Sequence, residues 1–389
     1  MKYQIINGNN IDVLKTFPDN HFDSIVTDPP YGIDFLGKAW DANTGALETY
    51  QQCLRVLKPG GHILAFSAAR TYHHLAITLE QAGFEIRDQI MWIYSSGFPK
   101  SQDVGKSIER SLNKRKDNAL GIKRSKIESG PKTNCPKCNK TLNGGNQYKC
   151  AEQQCDLRDA LAPAQNEWAG WGTQLKPAHE PIALARKPIK LSIAKNCQQW
   201  GTGALNIDAA RVAIEDEGWK HSTKEGRKLD TYGDASGYSN VLPMNEAGRF
   251  PSNVLGDIPD YQKYFYCPKV SRKERHIGYN LTEIPTNPEG IWDVDGTGVQ
   301  YNAQKNKANG NNHPTVKPIE LMKYLIKLVT PAGGIVLDPF NGSGSTGCAA
   351  VELGHEYVGI ELDPAYVEIA NKRIAAWNKD DSAFKELFE

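Results

Sequence analysis

A carboxylate, two prolines and a tyrosine, Asp28-Pro29-Pro30-Tyr31, follow the apolar run Ser24-Ile25-Val26-Thr27. Such a run reads as a short strand, and its carboxyl end is where open α/β sheets bind their ligands. An exocyclic amine on a nucleic-acid base is a weak nucleophile, because its lone pair is delocalised into the ring. The Asp28 carboxylate and the Pro29 carbonyl could each accept one amine hydrogen, drawing the nitrogen toward tetrahedral geometry and aiming its lone pair at an electrophilic methyl. The prolines hold that carbonyl in place. Tyr31 offers a ring on which a base rotated out of a duplex could stack, since a buried target atom cannot otherwise be reached. The competing reading is an Asp-Pro turn followed by a core tyrosine. A second motif far along the chain weakens it.

That motif is Val336-Leu337-Asp338-Pro339-Phe340-Asn341-Gly342-Ser343-Gly344-Ser345-Thr346-Gly347, a Gly-Ser-Gly turn directly after a strand and before a helix. Glycines let the backbone approach a ligand closely. A second strand ends at Ile360-Glu361, where an acidic side chain can accept hydrogen bonds from ribose hydroxyls in a doubly wound sheet. A nucleoside-bearing cofactor is indicated. The turn fits neither G-x-G-x-x-G nor G-x-x-x-x-G-K-[ST], which argues against nicotinamide dinucleotides and nucleoside triphosphates.

Cys135, Cys138, Cys150 and Cys155 form C-x2-C-x11-C-x4-C in a loop-rich, basic segment. Four thiolates can close a tetrahedral zinc site, and metal binding would then supply the folding free energy of a small ribbon-like module. The other cysteines, Cys53, Cys197, Cys267 and Cys348, are scattered and read as free thiols. Between Lys100 and Lys126 nine basic residues face three acidic ones, a local excess of +6. Such a cluster suits phosphate contacts, although a solvated helix face has the same composition.

The elements that must position these groups are legible from periodicity. Residues 3–98 alternate strands with helices, the pattern of a mostly parallel sheet covered on both faces. Helices are predicted from Leu47 to Leu57 and from Tyr72 to Ala82, with Lys58-Pro59-Gly60-Gly61 stopping the first and Gly83 the second. Strands are predicted at His62–Phe66 and Phe84–Tyr94. Regularity is lost from Ser95 to about residue 312, apart from Pro181 to Lys187, which reads as a strand returning to the sheet. It resumes with a helix at Ile319–Val329, strands at Gly334–Leu337 and Tyr357–Ile360, and a last helix from Pro364. Both ends of the chain are expected to build one sheet. The expected division is 1–98 and 313–389 as the two halves of a catalytic domain, 99–164 as the basic insertion with the cysteine module, 165–195 as the return to the sheet, and 196–312 as a target-recognition region.

At 389 residues the chain exceeds one ordinary core. Its 46 Lys and Arg against 45 Asp and Glu leave any anionic partner to local clusters. No apolar run is long enough to span a membrane, and the N-terminal segment lacks a secretory signal pattern. A cytoplasmic, nucleoid-associated location is expected.

In its motifs and their order, this chain resembles the amino-methylating DNA methyltransferases in which the catalytic motif precedes the cofactor motif, the permuted β group. The matches span residues 3–98 and 313–370. The resemblance implies a Rossmann-like, doubly wound sheet with an inserted target-recognition region, S-adenosylmethionine as methyl donor, and duplex DNA as substrate after base flipping. It places catalysis on Asp28, Pro29, Pro30 and Tyr31. Cofactor contacts fall to Asp28, Asp338, Pro339, Phe340, Gly342, Ser343, Gly344, Thr346 and Glu361, the last as the ribose ligand. His313-Pro314-Thr315-Val316-Lys317-Pro318 corresponds to the motif before the cofactor strand, in which Thr315 and Lys317 would meet the cofactor carboxylate. Where the family usually has Gly-Asp at an adenine contact, this chain has Gly8-Asn9, so Asn9 takes that role. Trp171-Gly172-Thr173 and Lys176-Pro177-Ala178-His179-Glu180-Pro181 resemble a stretch of phage and bacterial members. Asp-Pro-Pro-Tyr favours adenine N6 over cytosine N4. Carbon-5 cytosine chemistry needs a thiolate, typically in a Pro-Cys pair, and the chain has none. An RNA or protein-glutamine methyltransferase and a non-catalytic zinc nucleic-acid-binding protein are the alternatives from other classes. A homodimer and a cognate restriction endonuclease are partners that the resemblance leaves open.

Overall fold

A computed structural model describes residues 3–33, 43–94, 101–108, 111–112, 166–212, 248–256, 270–281, 291–292, 299–300 and 310–377. Ten strands run in chain order: β1 (Tyr3–Asn7), β2 (Phe22–Thr27), β3 (Leu57–Phe66), β4 (Glu85–Ile93), β5 (His179–Arg186), β6 (Val254–Gly256), β7 (Ile291–Trp292), β8 (Val299–Gln300), β9 (Ile335–Asp338) and β10 (Glu356–Glu361). Eight of them form one sheet in the order β1-β10-β9-β2-β3-β5-β4-β6. Every pairing is parallel except those of β5, which runs against both β3 and β4. The two ends of the chain meet at the centre, where Ile25 of β2 pairs with Leu337 of β9.

The strands carry apolar side chains on both faces, as a sheet buried on both sides requires. Ile25, Ile63, Ala65 and Leu337 pack on one face against Leu14, Tyr50, Val56, Leu75 and Leu79. Those residues come from α1 (Asn10–Lys15), α2 (Leu47–Val56) and α3 (Tyr72–Ala82). Val26, Leu64, Phe66 and Val336 pack on the other face. Their partners are Leu321, Leu325, Ala349 and Ile374, drawn from three of five later helices: α4 (Ile193–Trp200), α5 (Arg272–Arg275), α6 (Ile319–Val329), α7 (Ser345–Glu352) and α8 (Pro364–Trp377). Gly83 ends α3 with φ +104°, a conformation that glycine adopts without a Cβ penalty.

One predicted boundary is corrected. Lys58-Pro59-Gly60-Gly61 does not separate helix from strand, because β3 starts at Leu57 and runs through it. The register jumps from Phe22↔Leu57 to Ser24↔His62, so the four residues form a bulge. Its polar groups are met from a distant segment. Pro59 O accepts from Asn196 Nδ2 at 2.8 Å and Thr202 Oγ1 at 2.7 Å, and Gly60 N donates to Lys187 O at 3.1 Å.

The described residues group into two compact units. One is drawn from Met1–Ser95, Ala178–Thr286 and Ala303–Glu389 and contains the eight-stranded sheet. The other is drawn from Ser96–Pro177 and Asn287–Asn302. In the second unit Asp103 and Gly172 form an antiparallel bridge, Thr173 N donates to Ser101 Oγ at 2.9 Å, and β7 pairs with β8. Among the described residues no helix is long and apolar enough to cross a membrane.

Candidate active site

Asp28 follows the last residue of β2, at the carboxyl edge of the parallel strands. Its Oδ2 accepts from Lys317 Nζ at 2.5 Å, and its Oδ1 accepts from the Tyr31 hydroxyl at 2.9 Å. Lys317 also lies 3.1 Å from the Tyr31 hydroxyl and 3.5 Å from Glu180 Oε2. The start of an antiparallel strand lies beside the ends of its parallel neighbours. The register Trp92↔Glu180 therefore brings Glu180, the second residue of β5, to the same edge. There Glu180 Oε2 lies 3.0 Å from the Tyr31 hydroxyl, and Oε1 accepts from Tyr94 at 3.4 Å.

Burial pushes the Asp28 carboxyl above the ordinary carboxylate range, against the pull of Lys317. Burial works to lower the Lys317 pKa, but the charges of Asp28 and Glu180 outweigh it, and the ammonium is held above its usual value. Tyr31 is pushed well up by burial and then by the Asp28 and Glu180 charges, so its hydroxyl stays protonated. A single hydroxyl proton can serve Asp28 or Glu180 but not both at once.

A cavity of about 340 Å³ opens beside Asp28 and Pro30. Of the residues predicted to hold the cofactor, Asp28, Thr315, Lys317, Asp338, Phe340, Gly342, Ser343, Thr346 and Glu361 line it. The buried Asp338 carboxyl, at the end of β9, accepts from the hydroxyls of Thr27 at 2.7 Å and Thr346 at 2.6 Å and from Phe340 N at 3.1 Å. Burial nevertheless raises it to about 6. Glu361, at the end of β10, accepts from Gly342 N at 2.8 Å and Asp363 N at 2.9 Å, and burial raises it to about 7. Two carboxyls poorly compensated for their charge make a cavity that favours a cationic ligand. Gly342 holds φ +51°, and a Cβ there would stand 2.8 Å from His313 Nε2. The His313 ring is kept neutral, its pKa lowered to about 3 by burial and then by the Lys317 charge.

Other expected contacts fall elsewhere. Asn9 is outside the cavity lining, and its Oδ1 accepts from Ile11 N at 2.9 Å as the N-cap of α1. A short polar side chain meets an otherwise orphaned helix N–H in this way. Its neighbour Asn10 makes the bridge instead, donating to Pro339 O at 3.2 Å and accepting from Thr49 at 3.0 Å. Gly344 is outside the cavity lining, and a Cβ there would stand 3.0 Å from Ala370 Cβ on α8. Pro29, Tyr31 and Pro339 are not in the lining either. Lys317 faces Asp28 and Glu180 as well as the cavity. Sequence reasoning assigned no role to Glu180, His313, Asp363 or Tyr366. Glu180 stood at the head of a strand already recognised, and only the strand's direction was missing.

The short helix α5 braces the site. Arg275 Nη1 donates to His313 O at 2.7 Å, and Glu274 Oε1 accepts from Ile319 N at 2.5 Å. Arg373 of α8, fully buried, donates to Ser343 O at 2.6 Å. Cys135, Cys138, Cys150 and Cys155 and the basic residues from Lys114 to Lys126 lie outside the described residues. Among the described residues no three His, Cys, Asp or Glu are grouped to hold a metal.

A family profile described as DNA methylase, of the N6/N4 type, matches residues 22–372. The type II methyltransferase M2.DpnII of Streptococcus pneumoniae is 45% identical over 200 residues, which cover 51% of this chain and 66% of that protein. The DNA adenine methyltransferase YhdJ of Escherichia coli strain K12 is 36% identical over 103 residues, 26% of this chain and 32% of that one. The type II methyltransferase M.HindIII of Haemophilus influenzae is 22% identical over 416 aligned residues, covering 95% of this chain and 94% of its own length. The chain thus spans less than two thirds of the first two relatives and nearly all of the third.

Proposed function

This chain belongs to the DNA methylase family, and from that premise we propose that it methylates an exocyclic amine of a base in DNA, adenine N6, with S-adenosylmethionine as donor. The observation that carries the reading is the placement of Asp28 at the mouth of a cavity lined by Asp338 and Glu361, on strands that are far apart in sequence and close in the sheet.

The residues fit the cofactor. Asp338, whose carboxyl is raised to about 6 by burial, is suited to a ligand ammonium that would relieve the cost of its ionisation. Glu361 keeps lone pairs free for ribose hydroxyls after meeting two backbone N–H groups. Gly342 takes a left-handed backbone against the His313 ring that a side chain could not adopt without a clash. When bound, S-adenosylmethionine supplies an electrophilic methyl carbon.

The rest of the chemistry falls to the chain. Asp28 Oδ1, engaged by one hydroxyl, retains capacity to accept an amine hydrogen, and the Pro29 carbonyl takes the other. With both hydrogens held, the nitrogen lone pair leaves conjugation with the ring. The target base must leave the duplex to reach Asp28, at an unstacking cost of a few kcal/mol, and Tyr31 is the ring offered to it. Adenine is preferred because Asp28 opens the tetrapeptide and because one of the relatives is a DNA adenine methyltransferase. Duplex DNA is the substrate, with 196–312 as the target-recognition region. The spacing of Cys135, Cys138, Cys150 and Cys155 supports a structural zinc as a second bound group.

Replacing Asp28 with Ala tests the assignment. Transfer of labelled methyl groups to duplex DNA should be abolished, while the Kd for S-adenosylmethionine stays within a few-fold of wild type. Turnover near the wild-type rate would remove Asp28 from the reaction.

A further inference from the structure

Glu180 is a charged side chain at the reaction edge whose role the mechanism above does not use. Its side chain is 18% exposed and does not line the cavity. It sits on the far side of Asp28's own partners, 3.0 Å from the Tyr31 hydroxyl and 3.5 Å from the Lys317 ammonium. The described groups facing Asp28 are Lys317, Tyr31 and Glu180, with Asp338 and His313 bordering the same cavity and Tyr94 behind Glu180. The formal charges of Asp28, Lys317 and Glu180 sum to one negative charge. Without Glu180 the first two would cancel.

We propose that Glu180 is the positioning residue of the Asp28 site. Through the Lys317 ammonium, which meets both carboxylates, it fixes the Asp28 carboxylate, and it leaves the base side of the site with one net negative charge. The inference rests on the reading of Asp28 as the group that meets the amine. Alkylation of an amine leaves positive charge on nitrogen until one of its protons departs. A fixed anion behind Asp28 is therefore worth more in the transition state than before it, and only such a difference accelerates the step. Lys317, held between two carboxylates, is drawn off exclusive pairing with Asp28 and cannot neutralise the site. The Tyr31 hydroxyl, with an acceptor on either side, can turn from Asp28 to Glu180 when the base arrives.

Glu180→Gln keeps the shape and removes the charge. In the cofactor-free protein, the protonation midpoint of Asp28 is read by carbon-13 NMR of carboxyl-labelled aspartate, assigned with Asp28→Asn. It should fall by about one to two pH units, because a neighbouring negative charge is gone while Lys317 remains. With the loaded enzyme, single-turnover transfer to duplex DNA should slow about 10- to 100-fold and its acid limb should move to lower pH. The Kd for S-adenosylmethionine should change less than about threefold, since Glu180 does not line the cavity. Glu180→Asp, which keeps the charge one methylene back, should restore most of the midpoint, and Glu180→Ala removes the same charge if the amide variant does not fold. An unmoved midpoint, or a rate loss equal at every pH, reduces Glu180 to a space-filling role and overturns the inference. A shifted midpoint in a chain whose wild type labels no DNA overturns the proposed function instead.

Discussion

Cofactor affinity should carry the titration of one buried carboxyl. Asp338 is raised by burial to about 6, even though Thr27, Thr346 and the Phe340 amide all donate to it. A ligand ammonium needs the ionised form. The Kd for S-adenosylmethionine should therefore be lowest near pH 7, where Asp338 is ionised and the ligand amine is still protonated, and rise about tenfold for each pH unit below 6. Thr27→Val removes the donor at 2.7 Å. A hydrogen bond to a charged group contributes about 1.5–3 kcal/mol, and one pKa unit corresponds to about 1.4 kcal/mol, so the Asp338 value should move up by about one to two units. At pH 6 the variant should then bind the cofactor about five- to fiftyfold more weakly than wild type, and the two should converge above about pH 9. Isothermal titration calorimetry across pH 5 to 9 reads both curves, and the melting transition checks the fold of the variant. Superimposed curves, or a wild-type affinity that does not change between pH 5 and 8, would refute the pairing of Asp338 with a ligand cation.

Two further outcomes follow from the same groups. The folded value of Asp338, about 6, exceeds its ordinary value of 3.8. Its contribution to stability is therefore fully present below about pH 3.8 and is lost as pH rises through 6, about 3 kcal/mol in all. Asp338→Asn should accordingly melt at a higher temperature than the free wild-type protein at pH 8 while losing cofactor affinity; a lower melting temperature there would show that the carboxylate is better accommodated than its burial implies. For the cysteine module, elemental analysis of protein purified without chelator should find one zinc per chain, and a chain free of metal would dismiss the ribbon.

Much of this site was legible in the sequence because it is made of strand ends. Asp28, Asp338 and Glu361 each close or follow a short apolar run, and parallel strands present such ends along one edge of the sheet. The helices α3 and α6 were legible to the residue, one from its terminal glycine and the other from its apolar periodicity. Bulges and strand direction were not. Lys58-Pro59-Gly60-Gly61 has the composition of a turn, and it becomes part of β3 because Asn196 and Thr202, far away in sequence, satisfy its backbone. Glu180 reads as a polar residue at the head of a strand, and only the antiparallel pairing of β5 puts it beside Asp28's partners. At Asn9 the motif position implies a ligand contact, and the N-terminus of α1 engages its Oδ1 as well.

Incubating duplex DNA with the protein and methyl-labelled S-adenosylmethionine, then separating the digested nucleosides, tests whether the Asp28 carboxylate and the neighbouring cavity form one methylating centre. Label should run as N6-methyldeoxyadenosine. DNA that stays unlabelled while RNA or protein from the same mixture acquires the methyl group would contradict the account.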